Sequence, residues 1–155
     1  MKGECCLDYW LCVTNQDNWR VVVSRGIWGV SERFRRSIEL VKPGDKLVFY
    51  LVQEKHEGEL VPSRVVGVMS VVSEPFVDKR KIFKPAGSAG EEIFPYRVRV
   101  KKELIPKGWV EFKPLVDKLK FIKNKQYWTG ALRRAMVKIP KEDYELLVQE
   151  LKKVS

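Results

Sequence analysis

Residues 46–72 read KLVFYLVQEKHEGELVPSRVVGVMSVV. Two runs in this stretch, Lys46–Val52 and Arg64–Val72, are dominated by β-branched, aromatic and other apolar side chains. Such composition predicts strands. The residues between them, 53–62, are polar and predict a loop. Pro43-Gly44-Asp45 is a turn signal before the first run, and Glu74-Pro75 closes the second. Gly67, inside the second run, predicts a bulge or a close backbone approach.

Upstream, Asp8–Thr14 (DYWLCVT) reads as a first strand, in which Trp10 faces the core. Asn15 is a cap residue, so a helix begins there and ends near Gly26, with Trp19 on its buried face. Trp28-Gly29-Val30 follows, and Ser31 caps a second short helix reaching Leu40, with Glu32 in its first turn. Downstream, 77–92 is a long loop carrying Lys79-Arg80-Lys81 and Gly87-Ser88-Ala89-Gly90. Long loops within compact domains are often functional. Tyr96–Lys102 alternates with period two and sets Arg97, Arg99 and Lys101 on one face. Trp109–Phe112 is a short strand, 114–136 is helical or mixed, and 135–139 returns as a strand. Pro140 opens the last helix, whose ends match the helix dipole: Glu142 and Asp143 first, Lys152 and Lys153 last. Its apolar stripe is Tyr144, Leu147, Val148 and Leu151. The strands are not separated by regular crossover helices, which predicts an α+β fold built on a small bent barrel, not a parallel βαβ sheet. The 155 residues suit one domain spanning 1–155.

Charge narrows the function. Lys and Arg total 30 against 20 Asp and Glu. Residues 1–78 hold 10 basic and 11 acidic side chains, whereas 79–155 hold 20 and 9. From Lys118 through Lys141, both included, there are eight basic residues and no acidic one. This asymmetry favours a polyanionic partner. The bland alternative is the charged surface of a heat-adapted protein, but that surface would be rich in Glu as well as Lys. No run approaches ~18 consecutive apolar residues, so no membrane span is expected. The first residues, MKGECCLDYW, lack a secretory pattern, which predicts a cytoplasmic protein. The cysteines, Cys5, Cys6 and Cys12, are odd in number and clustered, so neither a disulfide framework nor a zinc site of about four ligands is expected. Cys12 reads as a buried inert thiol. There is no paired His/Cys or Ser/His constellation, no Walker loop and no GxGxxG; no catalytic residue, metal or cofactor is expected.

The segments YWLCVTN, QDNW, GIWGVSERF, GDKLVFYLV and RVVGVMSVVSEPF, in this order, resemble the EVE domain. The late segments FIKNKQYW and IPKEDYELL extend the likeness to nearly the whole chain, which looks like the small stand-alone archaeal and bacterial members. The EVE family belongs to the PUA-like superfamily and is related to the YTH readers of methylated adenine. The resemblance implies a PUA-like β-barrel of about five to six strands surrounded by short helices. It also implies a module that receives a nucleobase, often a modified one, in an aromatic pocket. Trp28 stands where YTH domains place a cage tryptophan, directly after the first helix. Thr14, Asn15 and Asn18 fall where base-edge contacts are made, and Gly29 and Val30 adjoin the cage. The segment after the VG-containing strand offers Phe76, Ile82 and Phe83 where YTH domains carry tryptophans.

A base taken from its stack must recover stacking elsewhere, and an aromatic face returns roughly 1–3 kcal/mol per base. Trp28 with Phe76 or Phe83 is expected to supply such faces, with the indole of Trp28 open in a concave hollow. Asn15 and Asn18 can donate and accept toward a base edge. Phosphate contacts are expected from Arg33 and Arg36, from Lys79, Arg80, Lys81 and Lys84 of the long loop, and from Lys120, Lys123, Lys125, Arg133 and Arg134. The expected partner is RNA or DNA, bound by a monomer or weak dimer. Competing readings are a general RNA-binding domain without modification preference, and a small-molecule-binding or enzymatic PUA-like protein.

Overall fold

The structure, a computed structural model, describes residues 7–83 and 93–155. The expected sites Lys84 and Gly87–Gly90 and the thiols of Cys5 and Cys6 lie outside the described residues. In chain order the elements are β1 (Tyr9–Thr14), α1 (Gln16–Arg25), β2 (Ile27–Val30), a 3-10 turn (Glu32–Phe34), α2 (Arg35–Glu39) and β3 (Lys46–Leu51). They continue with β4 (Glu54–His56), β5 (Glu59–Val61), β6 (Arg64–Val71), β7 (Phe76–Val77), β8 (Tyr96–Leu104) and β9 (Val110–Glu111). Two 3-10 turns (Lys113–Lys118 and Trp128–Leu132), β10 (Met136–Ile139) and α3 (Lys141–Lys152) complete the chain.

Six of the strands form one path, β10-β1-β3-β6-β8-β2, with β7 and β9 pairing beside it. This is a curved half-barrel whose two ends are β10 and β2. β9 falls within the short strand expected at Trp109–Phe112, whereas β7 carries too few residues for any periodic signal. The loop expected at 53–62 contains the separate hairpin β4-β5, a correction. Its strands are three residues long and largely exposed, so they lack the apolar alternation by which a strand is recognised. The strand directions are mixed. β1 and β3 are parallel, although their neighbours pair antiparallel. The crossover between them holds α1 and α2, and between these helices β2 travels to the far end of the sheet.

The central strands β1, β3 and β6 are buried on both faces. Trp10, Cys12, Phe49, Met69 and Val98 pack on one side with α1 and β2. Leu11, Val48, Val65, Phe112, Leu147 and Leu151 pack on the other with α3. Strands covered on both faces carry continuous apolar runs, which accounts for residues 46–51 and 64–71. Gly67 fulfils its expectation: pairing shifts register between Phe49 and Tyr50. A Cβ there would lie 3.0 Å from both the Leu104 carbonyl and the Trp19 ring. The fully buried Asp45 binds the start of β1 to the turn before β3, accepting from Asp8 N at 3.0 Å, Trp10 Nε1 at 3.2 Å and Lys42 N at 3.1 Å. The buried Cys12 thiol is pushed up in pKa by desolvation, as an inert core thiol should be. No helix among the described residues is long and apolar enough to cross a membrane.

Candidate nucleic-acid interface

The half-barrel leaves a gap between its two ends, and the expected base-edge residues sit there. Asn15 caps α1 as its residue type predicts: the backbone is extended (φ −110°, ψ 172°), and Oδ1 accepts Asn18 N–H at 2.8 Å. Gly26 ends the helix at φ 67°, a conformation that glycine adopts without steric cost. These two ends fix the span of α1 and bring Asn18 back over the end of β1. On the other side of the gap, Val13 N–H donates to Ala135 O at 2.8 Å, just before β10.

A hollow of about 340 Å³ opens at this junction. Thr14, Asn15 and Asn18 line it together with Phe34, Phe94 and Ala135. Its cationic rim is Arg33, Arg133 and Arg134, all exposed, and among the described residues no carboxylate lines it. Beneath lies a recess of about 50 Å³ that shares Val13, Thr14, Asn18, Phe94 and Ala135 and is backed by Trp28, Gly29 and Phe83. The recess has room for one or two waters, far too little for a base ring.

Trp28 is therefore corrected. Its ring is only 3% exposed and packs edge-on to Phe49 at 5.2 Å, so it does not stand open in the hollow. It forms the floor of a small recess, and its Nε1 is buried without a hydrogen bond among the described residues. The aromatic walls that a visiting ring would meet are Phe94 and Phe34, both half-buried. Val30 is fully buried in the core, and Ile82 packs against that core; neither lines the hollow. Phe76 lies on β7 with Arg99 over its ring at 5.3 Å, away from the gap.

Arg97, expected on a basic strand face, is fully buried instead. Its Nε donates to Phe94 O at 3.0 Å, and its Nη2 to Ile93 O at 3.1 Å and to Arg80 O. Nη1 lies 3.6 Å from Asp78 Oδ1, and the guanidinium stacks on Phe83 at 5.5 Å. Burial pulls its pKa down and Asp78 opposes that shift; the group stays charged. Arg97 thus clamps the 78–83 segment and residues 93–94 against the recess. Phe94 adopts φ 50°, a rare conformation for a bulky residue, and Arg97 together with the following Pro95 holds it there. Sequence pattern hid this role, because a buried strand arginine and an exposed one share the same period. Phe94 was missed because it lies outside any strand; its position just before Pro95 was the available signal.

The other expected phosphate contacts diverge. Arg36, Lys79, Lys81 and Lys123 are exposed but away from the hollow. Arg80 is held by Asp78 at 2.6 Å, an interaction that keeps the Asp78 carboxyl far below its ordinary range. Lys120 pairs with Glu142 at 3.0 Å. Lys125 donates to Val116 O at 3.0 Å and to Leu119 O, which makes it a cap for the 3-10 turn.

The EVE domain family model matches residues 8–150. The chain belongs to the EVE domain family. A UPF0310 protein of Pyrococcus abyssi is 51% identical over 142 residues, 91% of this chain and 97% of the relative. A UPF0310 protein of Pyrococcus horikoshii is 46% identical over 143 residues, with the same coverage. Among solved structures, the YTH domain of the Zygosaccharomyces rouxii MRB1 protein in complex with N6-methyladenosine RNA aligns at TM-score 0.61 and 15% identity, covering 97% of this chain and 90% of that one. The human THYN1 protein in complex with 5-methylcytosine-containing DNA aligns at TM-score 0.59 and 12% identity, covering 94% and 98%. At such identities the likeness establishes the fold: this EVE protein is a PUA-like half-barrel.

Proposed function

We propose that this EVE protein is a non-catalytic nucleic-acid-binding module that takes one unstacked base into the hollow at the barrel gap. One observation carries the reading: an open hollow with aromatic walls and three rim arginines, and with no carboxylate among the described residues, stands over a small recess backed by Trp28 and Phe83. The structural neighbours crystallised with methylated RNA and methylated DNA support it. The ring rests against Phe94 and Phe34, Asn15 and Asn18 face its edge, and Arg33, Arg133 and Arg134 meet the adjoining phosphates. A methyl substituent directed into the recess suits its size. Full burial of one methyl contributes about 0.8 kcal/mol, roughly fourfold in affinity.

The test is a titration of matched single-stranded RNA and DNA, with and without base methylation, at several salt concentrations. Arg133→Ala with Arg134→Ala should lower the salt slope by about 1.4 units if both touch phosphate. Ala135→Leu, which fills the passage shared by hollow and recess, should abolish any methyl preference. Nucleic acid binding that ignores both changes, or no binding by the wild type, rejects the reading. Binding that depends on the arginines without methyl preference leaves a general RNA or DNA binder.

A further inference from the structure

A larger hollow, about 590 Å³, lies on the opposite flank of α1. Gln16, Trp19, Arg20 and Val23 line it, the i, i+3, i+4, i+7 face of that helix. Asn15 and Asn18 point the other way, to the barrel gap, so one helix divides the two hollows. The floor is Leu51, Val66 and Trp19. Gly67 permits this floor, because the Trp19 ring occupies the space a Cβ would need. The outer wall is Ile105–Trp109, and Trp109 leaves 45% of its surface exposed beside Ile105 at 40%. Exposed indole at a concave surface is a common mark of ligand contact.

The polar groups are few and of one sign. Arg20, Arg64 and Lys107 line the hollow, and among the described residues no Asp or Glu does. Arg64 is 2% exposed. Its guanidinium is satisfied by Val52 O, Pro62 O and Gln16 Oε1 at 3.0–3.2 Å, and Glu54 lies 3.6 Å away. Arg64 is thus structural, and the uncompensated charge belongs to Arg20 and Lys107, which make no ion pair among the described residues. His56 adds a second, independent feature. Its Nε2 is shielded from solvent and makes no hydrogen bond among the described residues; Glu54 Oε1 is 3.8 Å from it. A sheltered, unmatched polar atom in an apolar hollow of ligand size asks for a partner.

We propose that this second hollow binds a small planar aromatic molecule bearing one anionic group. The ring packs on Trp19 and Trp109, the anion lies toward Arg20 and Lys107, and a ring heteroatom meets His56 Nε2. This chemistry is offered either by a free aromatic anion or by a second nucleotide of a strand bound at the barrel gap.

The test uses the full chain with adenosine monophosphate as probe and adenosine as its uncharged control. Binding is read from the indole N–H resonances, assigned through Trp→Phe variants. The nucleotide should move the Trp19 and Trp109 signals; any movement of Trp28 reports the gap hollow separately. Lys107→Glu should weaken the nucleotide about tenfold and leave adenosine unaffected; Trp109→Ala, at a half-exposed position, should weaken both about tenfold. If the nucleotide moves neither Trp19 nor Trp109 at millimolar concentration, or binds no better than adenosine, the proposal is overturned. A pentanucleotide that shifts Trp109 identifies the strand as the source of the ligand. One that binds while Trp109 stays still identifies the free anion; the site stands in either case. The readout is separate from the gap hollow, so failure of one site leaves the other untouched.

Discussion

Replacing Arg97 with leucine tests the claim that one buried cation builds the inner wall of the base site. The guanidinium donates to the carbonyls of Phe94, Arg80 and Ile93, and its charge faces Asp78 at 3.6 Å. Leucine keeps much of the apolar volume and leaves three carbonyls without their donor. An orphaned group costs about 1–3 kcal/mol when fully buried, and these three carbonyls are partly buried. Part of that is offset, because a desolvated cation no longer has to be housed. The net loss is then about 3–5 kcal/mol, as for breaking a buried ion pair from one side. In a chain of this size that lowers Tm by about 6–20 °C. Urea and thermal unfolding measure it. The Trp28 indole resonance is the local readout, since Phe83 and Phe94 border the same recess. Arg97→Lys keeps the charge but not the planar fork, and should fall between wild type and leucine. A leucine variant within about 1 kcal/mol of wild type, with Trp28 undisturbed, would refute the clamp.

Asn15→Ala removes the cap of α1 and should destabilise the protein by about 1 kcal/mol in urea unfolding. Asn15→Ser should restore most of that loss. Glu103 is held below its ordinary pKa, first by the Ser70 hydroxyl and then by Lys46. Its contribution is complete above the ordinary value of 4.5 and is lost as pH falls through the depressed one. Ser70→Ala should move the Glu103 carboxyl titration upward in NMR. Tyr144, stacked on Tyr9 at 4.4 Å, is pushed up to about 12, mainly by burial. A phenol with a raised folded pKa stabilises below its ordinary value near 10 and loses that contribution as pH rises toward 12. Ultraviolet titration should show a late tyrosine component that shrinks by one group in Tyr144→Phe, leaving the upward-shifted Tyr50 and Tyr96.

The legible parts of the fold were those with local chemistry. Asn15 and Gly26 delimit α1 because capping is written in two residues. The runs 46–51 and 64–71 announce themselves as strands because both sheet faces are covered. Strand direction was not legible: the parallel pairing of β1 with β3 depends on where β2 travels, and nothing in residues 15–45 encodes that locally. At the candidate site, sequence brought forward Thr14, Asn15, Asn18, Gly29, Phe83, Arg33, Arg133 and Arg134, which converge on the gap. It could not separate a tryptophan flooring a recess from one standing open, because Trp28 has the same neighbours in the chain either way. Nor could it separate the structural cations Arg97 and Lys125 from free ones, since what distinguishes them is a set of distant carbonyls.

The central place of β1 has a bearing on how the molecule is made. Both partners of β1 come later in the chain: β3 from residue 46 and β10 from residue 136. During vectorial synthesis, the flank of β1 that β10 will cover stays unsatisfied until nearly the whole polypeptide has left the ribosome. Such distant pairing slows folding and leaves a strand edge open to wrong partners. A chain released before residue 136 would carry that open edge permanently, and its characteristic failure would be aggregation, not partial function.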